Sequence, residues 1–140
     1  MTAFLLDTSA IIGLLERNSR SIRGALSRVT VDPKVSVLTL GELEHGAQSA
    51  GSNQDQRRQL TLRRAKALPM IAIDTPDIAE CFGFVSRSTR ARVIDRWLVA
   101  CAVVGGLEIL TEDHGMSALI DDVQWNDRWQ RPDLTLCGSA

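Results

Sequence analysis

With 140 residues, 44% hydrophobic and 24% charged, and a mean hydropathy of −0.02, the chain has the makeup of one globular domain spanning residues 1–140. A formal net charge of −1 excludes a globally basic nucleic-acid coat, and 4% aromatic residues with no Tyr exclude an interleaved stacking platform for single-stranded bases. Cys81, Cys101 and Cys137 form neither a disulfide framework nor a zinc pattern, and no run approaches the roughly 18 apolar residues of a membrane span, so a reducing cytoplasm is expected.

The N-terminal run FLLDTSAIIGLL sets Asp7 inside an otherwise apolar stretch, which predicts a buried strand ending at Asp7 and then a helix. A signal peptide is not expected, because no basic region precedes the run and Asp7 interrupts it. Asn18 to Val29 reads as a second amphipathic helix. KVSVLTL reads as a second strand, with Thr39 capping a helix that begins near Gly41 and completing a capping box with Glu42. Gly51 to Asn53 breaks that helix, and Gln54 to Leu68 forms another that ends at Pro69. MIAID is a third strand, and Thr75-Pro76 starts a helix running to about Arg90. IDRWLVACAVVGG is an apolar helix stopped by Gly105-Gly106; LEILTED is a fourth strand, and VQW a candidate fifth. Strands alternating with helices predict an α/β chain, with helices on both faces of a mostly parallel sheet.

Four acids fall where this pattern meets the carboxyl edge of the sheet, the place where α/β folds build their sites. Asp7 closes the first strand, Glu42 lies in the first turn after the second, Asp95 begins the apolar helix and Asp113 follows the fourth strand. Each has a structural alternative: Asp7 as a helix cap, Glu42 as partner to Thr39, Asp95 as an N-cap or dipole partner, and Asp113 as a turn residue. Those alternatives do not explain why all four gather at one edge. A divalent cation does, because packed carboxylates repel one another and a hard cation such as Mg²⁺ reverses that repulsion. Such a site suits phosphodiester hydrolysis.

The charge is unevenly spread. Five basic residues and no acid lie between Gln56 and Lys66; Arg87, Arg90, Arg92 and Arg96 precede or follow the third acid; and seven acids lie beyond Gly106. The arginines at 87–96 could steer RNA phosphates or pair with an acidic partner, and the earlier basic run could do either or solvate a helix. His45, three residues after Glu42, could orient it, and His114 beside Asp113 could serve as a general acid; both are also ordinary exposed histidines.

The stretches LLDTSAII, LTLGELEHGA and IDRWLVACAVVGGLEILTED, in that order, resemble the PIN domain, in particular the VapC-type ribonuclease toxins of bacterial toxin–antitoxin pairs. The resemblance runs from Phe4 to about Leu119. It implies a three-layer α/β/α sandwich and a Mg²⁺- or Mn²⁺-dependent endoribonuclease with Asp7, Glu42, Asp95 and Asp113 as catalytic and metal-binding acids. It also implies a VapB-like antitoxin covering the site, and a homodimer. Thr8 and Ser9 flank the first acid, and Thr111 matches the small polar residue before the last. The chain departs from the family pattern at Ile94 and Arg96 around Asp95, and at His114-Gly115-Met116 after Asp113, where Glu112 or a water is the alternative ligand. A degenerate PIN module that binds RNA or a partner without cutting is the alternative function. A receiver-type signalling domain fits poorly, because LLDTS lacks an adjacent acidic pair and the only lysines are Lys34 and Lys66.

Overall fold

The structure, a computed structural model, describes residues 2–49 and 52–138; of the break expected over Gly51 to Asn53, Gly51 lies outside them, whereas Ser52 and Asn53 are already helical. The first strand, β1 (Phe4–Leu6), is followed by α1 (Thr8–Leu15) and α2 (Arg20–Leu26). Next come β2 (Val35–Ser36), α3 (Val37–Ser49), α4 (Ser52–Lys66) and β3 (Met70–Ile71). The second half holds α5 (Pro76–Ser86), α6 (Val93–Gly105), β4 (Glu108–Thr111), α7 (His114–Asp122) and β5 (Leu134–Leu136). No helix among the described residues is long and apolar enough to cross a membrane.

All strand pairings are parallel. β4 lies between β1 and β5, β2 pairs with β3, and a bridge between Leu5 and Lys34 joins the two sets, giving the order β3-β2-β1-β4-β5. Side chains of successive strand residues point to opposite faces, and two cores follow from that. Phe4, Leu6 and Leu110 face Ile11, Ile22, Leu43 and Leu62 from the N-terminal helices. Leu5 and Ile109 face Cys81, Val85, Leu98, Met116 and Ile120 on the other side. A parallel sheet covered by helices on both faces is the α/β/α arrangement expected from the strand–helix alternation.

Several elements differ from the expected ones. KVSVLTL contributes only Val35–Ser36 to the sheet, and α3 begins at Val37. The Ser36 hydroxyl accepts from the Leu38 amide, doing locally what Thr39 was expected to do. Thr39 therefore lies inside the helix, with its buried hydroxyl unpartnered, and Glu42 falls beyond the first turn. The fifth strand is Leu134–Leu136, which pairs with β4, and not Val123–Trp125. Trp125 instead packs against the second core with its indole N–H donated to the Ile120 carbonyl. An additional helix, α7, follows Asp113, which accepts from the Gly115 amide and so caps it. The apolar helix α6 ends at Gly106, whose φ of 65° supplies the left-handed turn into β4.

Candidate active site

Four elements carry the four acids to one pocket of about 390 Å³, lined by Asp7, Thr8, Ser9, Ile12, Glu42, Arg92, Asp95 and Asp113. Asp7 leaves β1, Glu42 projects from α3, Asp95 is the third residue of α6, and Asp113 follows β4. β1 and β4 are adjacent parallel strands, so their ends present Asp7 and Asp113 at the same edge.

Asp7 is buried, yet both of its oxygens are bonded. Oδ1 accepts from the Ala10 amide at 2.9 Å and from the Ser9 hydroxyl at 2.7 Å, while Oδ2 accepts from the Thr111 hydroxyl at 2.5 Å. The helix-cap alternative is thus realised by one oxygen, and the other is tied to β4. Burial nevertheless pushes the Asp7 carboxyl above its ordinary value; the hydrogen bonds from Thr111, Ser9 and Ala10 oppose that, and the nearby charge of Asp95 adds to it. Thr111 also accepts from the Asp113 amide at 2.9 Å, so one buried hydroxyl links the first and last acids.

Glu42 accepts from the Thr8 hydroxyl at 2.5 Å through Oε1 and from Arg92 at 3.2 Å through Oε2. Arg92 also forks onto Asp95, with Nε 3.3 Å from Oδ2 and Nη2 3.4 Å from Oδ1. The hydrogen bond to Asp95, followed by the charges of Asp95, Glu42 and Asp113, holds the guanidinium more firmly in its charged form.

The remaining candidates lie elsewhere. Arg96 is a buttress of the α5–α6 junction: Nε donates to the Ala91 carbonyl at 2.9 Å, Nη1 to the Ser86 hydroxyl at 3.1 Å, and the guanidinium lies over Phe82. Two of its N–H donors are thus tied to the fold, and Arg96 does not line the pocket that holds the acids. Arg87 lines a separate depression with Phe84, Ser88, Asp122 and Gln124, and Arg90 is exposed outside the pocket. His45 and His114 are exposed and do not line the pocket. Glu112 is turned away to pair with Arg17, so it does not replace Asp113. Burial pushes the Cys81 and Cys101 thiols up to about 11, where almost no nucleophilic thiolate exists at neutral pH.

Two features of the site have little signal in the sequence. Arg92 stands among the acids themselves, a placement signalled only by its i,i+3 spacing to Asp95. A second, smaller groove of about 150 Å³ adjoins the pocket through Thr8, Ile12 and Glu42 and adds Glu16, Leu43, Gly46, Arg58 and Thr61. Arg58 crosses α3 at Gly46, where an added Cβ would stand 3.2 Å from its Nη1.

The donor set suits a hard divalent cation, since four carboxylates and three hydroxyl-bearing neighbours offer oxygen alone. Burial of Asp7 beside Asp95 leaves negative charge that such an ion would offset. Even so, no three His, Cys, Asp or Glu side chains among the described residues are drawn into a ready-made metal cage. Arg92 bridges Glu42 and Asp95, and Asp113 is turned toward its own helix.

Residues 4–121 match the PIN domain family. Ribonuclease VapC4 of Mycobacterium tuberculosis (strain ATCC 25618 / H37Rv) is 32% identical over 123 residues, covering 84% of this chain and 91% of that protein. Among solved structures, VapBC2 from Rickettsia felis bound to a promoter DNA fragment superposes with a TM-score of 0.74 at 12% identity, over 97% of this chain and 99% of the other. VapBC-5 from Mycobacterium tuberculosis gives a TM-score of 0.71 at 22% identity, with the same coverage. At those identities the two structures speak for the fold alone.

Proposed function

The chain belongs to the PIN domain family, and on that premise we propose that it is a VapC-type endoribonuclease, the toxin of a toxin–antitoxin pair, and hydrolyses RNA phosphodiester bonds with Mg²⁺ or Mn²⁺. The observation that carries this reading is the convergence of Asp7, Glu42, Asp95 and Asp113, from four separate elements, on one pocket. These four acids would hold the cation. When bound, it supplies Lewis-acid chemistry, activating water and offsetting charge that builds on the phosphate.

The chain's own groups prepare that chemistry. Thr111, Ser9 and the Ala10 amide fix the rotamer of Asp7, and Thr8 holds one oxygen of Glu42, so these two carboxylates are held in place at the pocket. Arg92 sits at the pocket with its side chain 66% exposed, where it can meet a phosphate oxygen, and Arg90 offers a second positive charge nearby in sequence. A VapB-like partner would silence the site by presenting a basic side chain to the same carboxylates, where arginine pairs in a bidentate fork.

One observation favours the alternative of a non-cutting module: Arg92 occupies the space between Glu42 and Asp95. Incubating the purified chain with a mixed RNA substrate separates the two readings. Cleavage is expected with Mg²⁺ or Mn²⁺, is expected to stop in EDTA, and is expected to fall at least about a hundredfold in Asp95→Asn. RNA that is bound but left intact by folded wild-type chain under all metal conditions would establish the non-cutting module.

A further inference from the structure

Arg92 is an unusual residue for its position. It stands at the N-cap of α6, where the helix dipole disfavours a cation, and its side chain makes no capping hydrogen bond. What holds it there is the pocket: Nη2 reaches Glu42 Oε2 and Asp95 Oδ1, and Nε reaches Asp95 Oδ2. Among the described residues lining the pocket it is the one cationic side chain. The two acids it bridges come from different helices, α3 and α6, and their side chains are only 19% and 11% exposed against 66% for Arg92. The guanidinium therefore reaches in from the solvent side and can swing out without unpacking a core residue.

We propose that Arg92 is a built-in counter-ion of the acidic pocket, which holds Glu42 and Asp95 together in the metal-free chain and must be displaced when a divalent cation loads. This inference rests on the metal-binding reading above and extends it to the control of loading. The physical case is competition for the same oxygens. A carboxylate has about four lone-pair positions for its donors, but Glu42 Oε2 and both oxygens of Asp95 each give one to the Arg92 guanidinium. A divalent ion concentrates twice the charge in a smaller volume and can win that exchange, at a cost to its apparent affinity. Once displaced, the guanidinium stays tethered at the pocket, where an incoming phosphate supplies the negative charge that it has lost. The chain thus carries on its own helix a restraint of the same chemistry as a basic side chain inserted by a partner.

Calorimetric titration of Mn²⁺ into wild type, Arg92→Gln, Arg92→Lys and Arg90→Gln tests this, with melting curves recorded in EDTA alongside. Arg90→Gln removes the same charge two residues away from an exposed position outside the pocket. Arg92→Gln is expected to bind Mn²⁺ about tenfold more tightly than wild type and to melt at a lower temperature in EDTA, because Glu42 and Asp95 then lose their shared counter-ion. Arg92→Lys keeps the charge without the fork and should fall between them; it carries the test if the glutamine variant does not fold. Arg90→Gln should stay within about twofold of wild type. Equal affinity in wild type and both Arg92 variants, or equal tightening in Arg90→Gln and Arg92→Gln, overturns the proposal while leaving the metal site standing. No Mn²⁺ binding in any of the four proteins overturns both.

Discussion

Asp7→Asn is expected to abolish RNA cleavage, by about a hundredfold or more, while raising the melting temperature of the metal-free chain. The two effects have one cause. Burial holds the Asp7 carboxyl above its ordinary value despite three hydrogen bonds, so the folded chain keeps that proton more firmly than the unfolded chain does. The ionised form is therefore destabilising. Its cost is absent below the ordinary carboxylate range, grows as pH rises from there through the raised value, and is fully present above it. Asparagine removes the charge and keeps much of the bonding: Oδ1 still accepts from the Ala10 amide and Ser9, and the Thr111 hydroxyl can turn to accept from Nδ2. A gain of 1 kcal/mol would shift the melting point by roughly 4 °C in a chain of this size. Melting curves in EDTA across a pH series check this. Wild type should lose stability with rising pH in that window, and the variant should flatten the loss. A variant less stable at every pH would make Asp7 chiefly a helix cap.

The largest loss of stability is expected from Leu110→Ala. Leu110 is fully buried in β4, which pairs with strands on both sides, and it faces the core formed by Phe4, Leu6 and Ile11. Truncation removes apolar contacts and leaves a cavity between two layers that cannot close on it, costing about 2–5 kcal/mol. Leu60→Ala on α4 is the control: that side chain is 43% exposed, and its loss should cost no more than about 0.5 kcal/mol. Urea unfolding of the three proteins reads both values. Equal midpoints would contradict the two-core arrangement. Because Leu110 precedes Thr111, which bonds Asp7, partial loosening of β4 should also weaken the site before the chain unfolds.

The carboxyl edge of the sheet was legible because strand ends leave a strong mark: apolar runs stopping at Asp7 and just before Asp113 predict where those acids sit. Glu42 was placed on the right helix but in the wrong turn. Val35 and Val37 look alike in sequence, and only the Ser36 cap decides that the chain turns helical between them. The short β5 left almost no local signal, since three residues of Leu-Thr-Leu become a strand only by pairing with β4. Helix α7 has a local signal of its own, with Asp113 as cap and Met116, Leu119 and Ile120 on one face. The fates of the arginines were least legible. Arg92 and Arg96 are alike in type and neighbourhood, yet one enters the acidic pocket and the other is fixed by Ser86 and Phe82 of α5. That difference depends on how α5 packs on α6, which no local pattern encodes.

Whether the distant acids form one cation site is tested most directly by calorimetric titration of Mn²⁺ into wild type, Asp7→Asn and Asp95→Asn. Asp7 and Asp95 belong to different halves of the chain and share no hydrogen bond; what they share is the pocket. Binding that is present in wild type and lost in both variants, with circular dichroism showing all three folded, is the predicted result. Binding of equal strength in all three would contradict a shared cation site and return Asp7 to the role of capping α1.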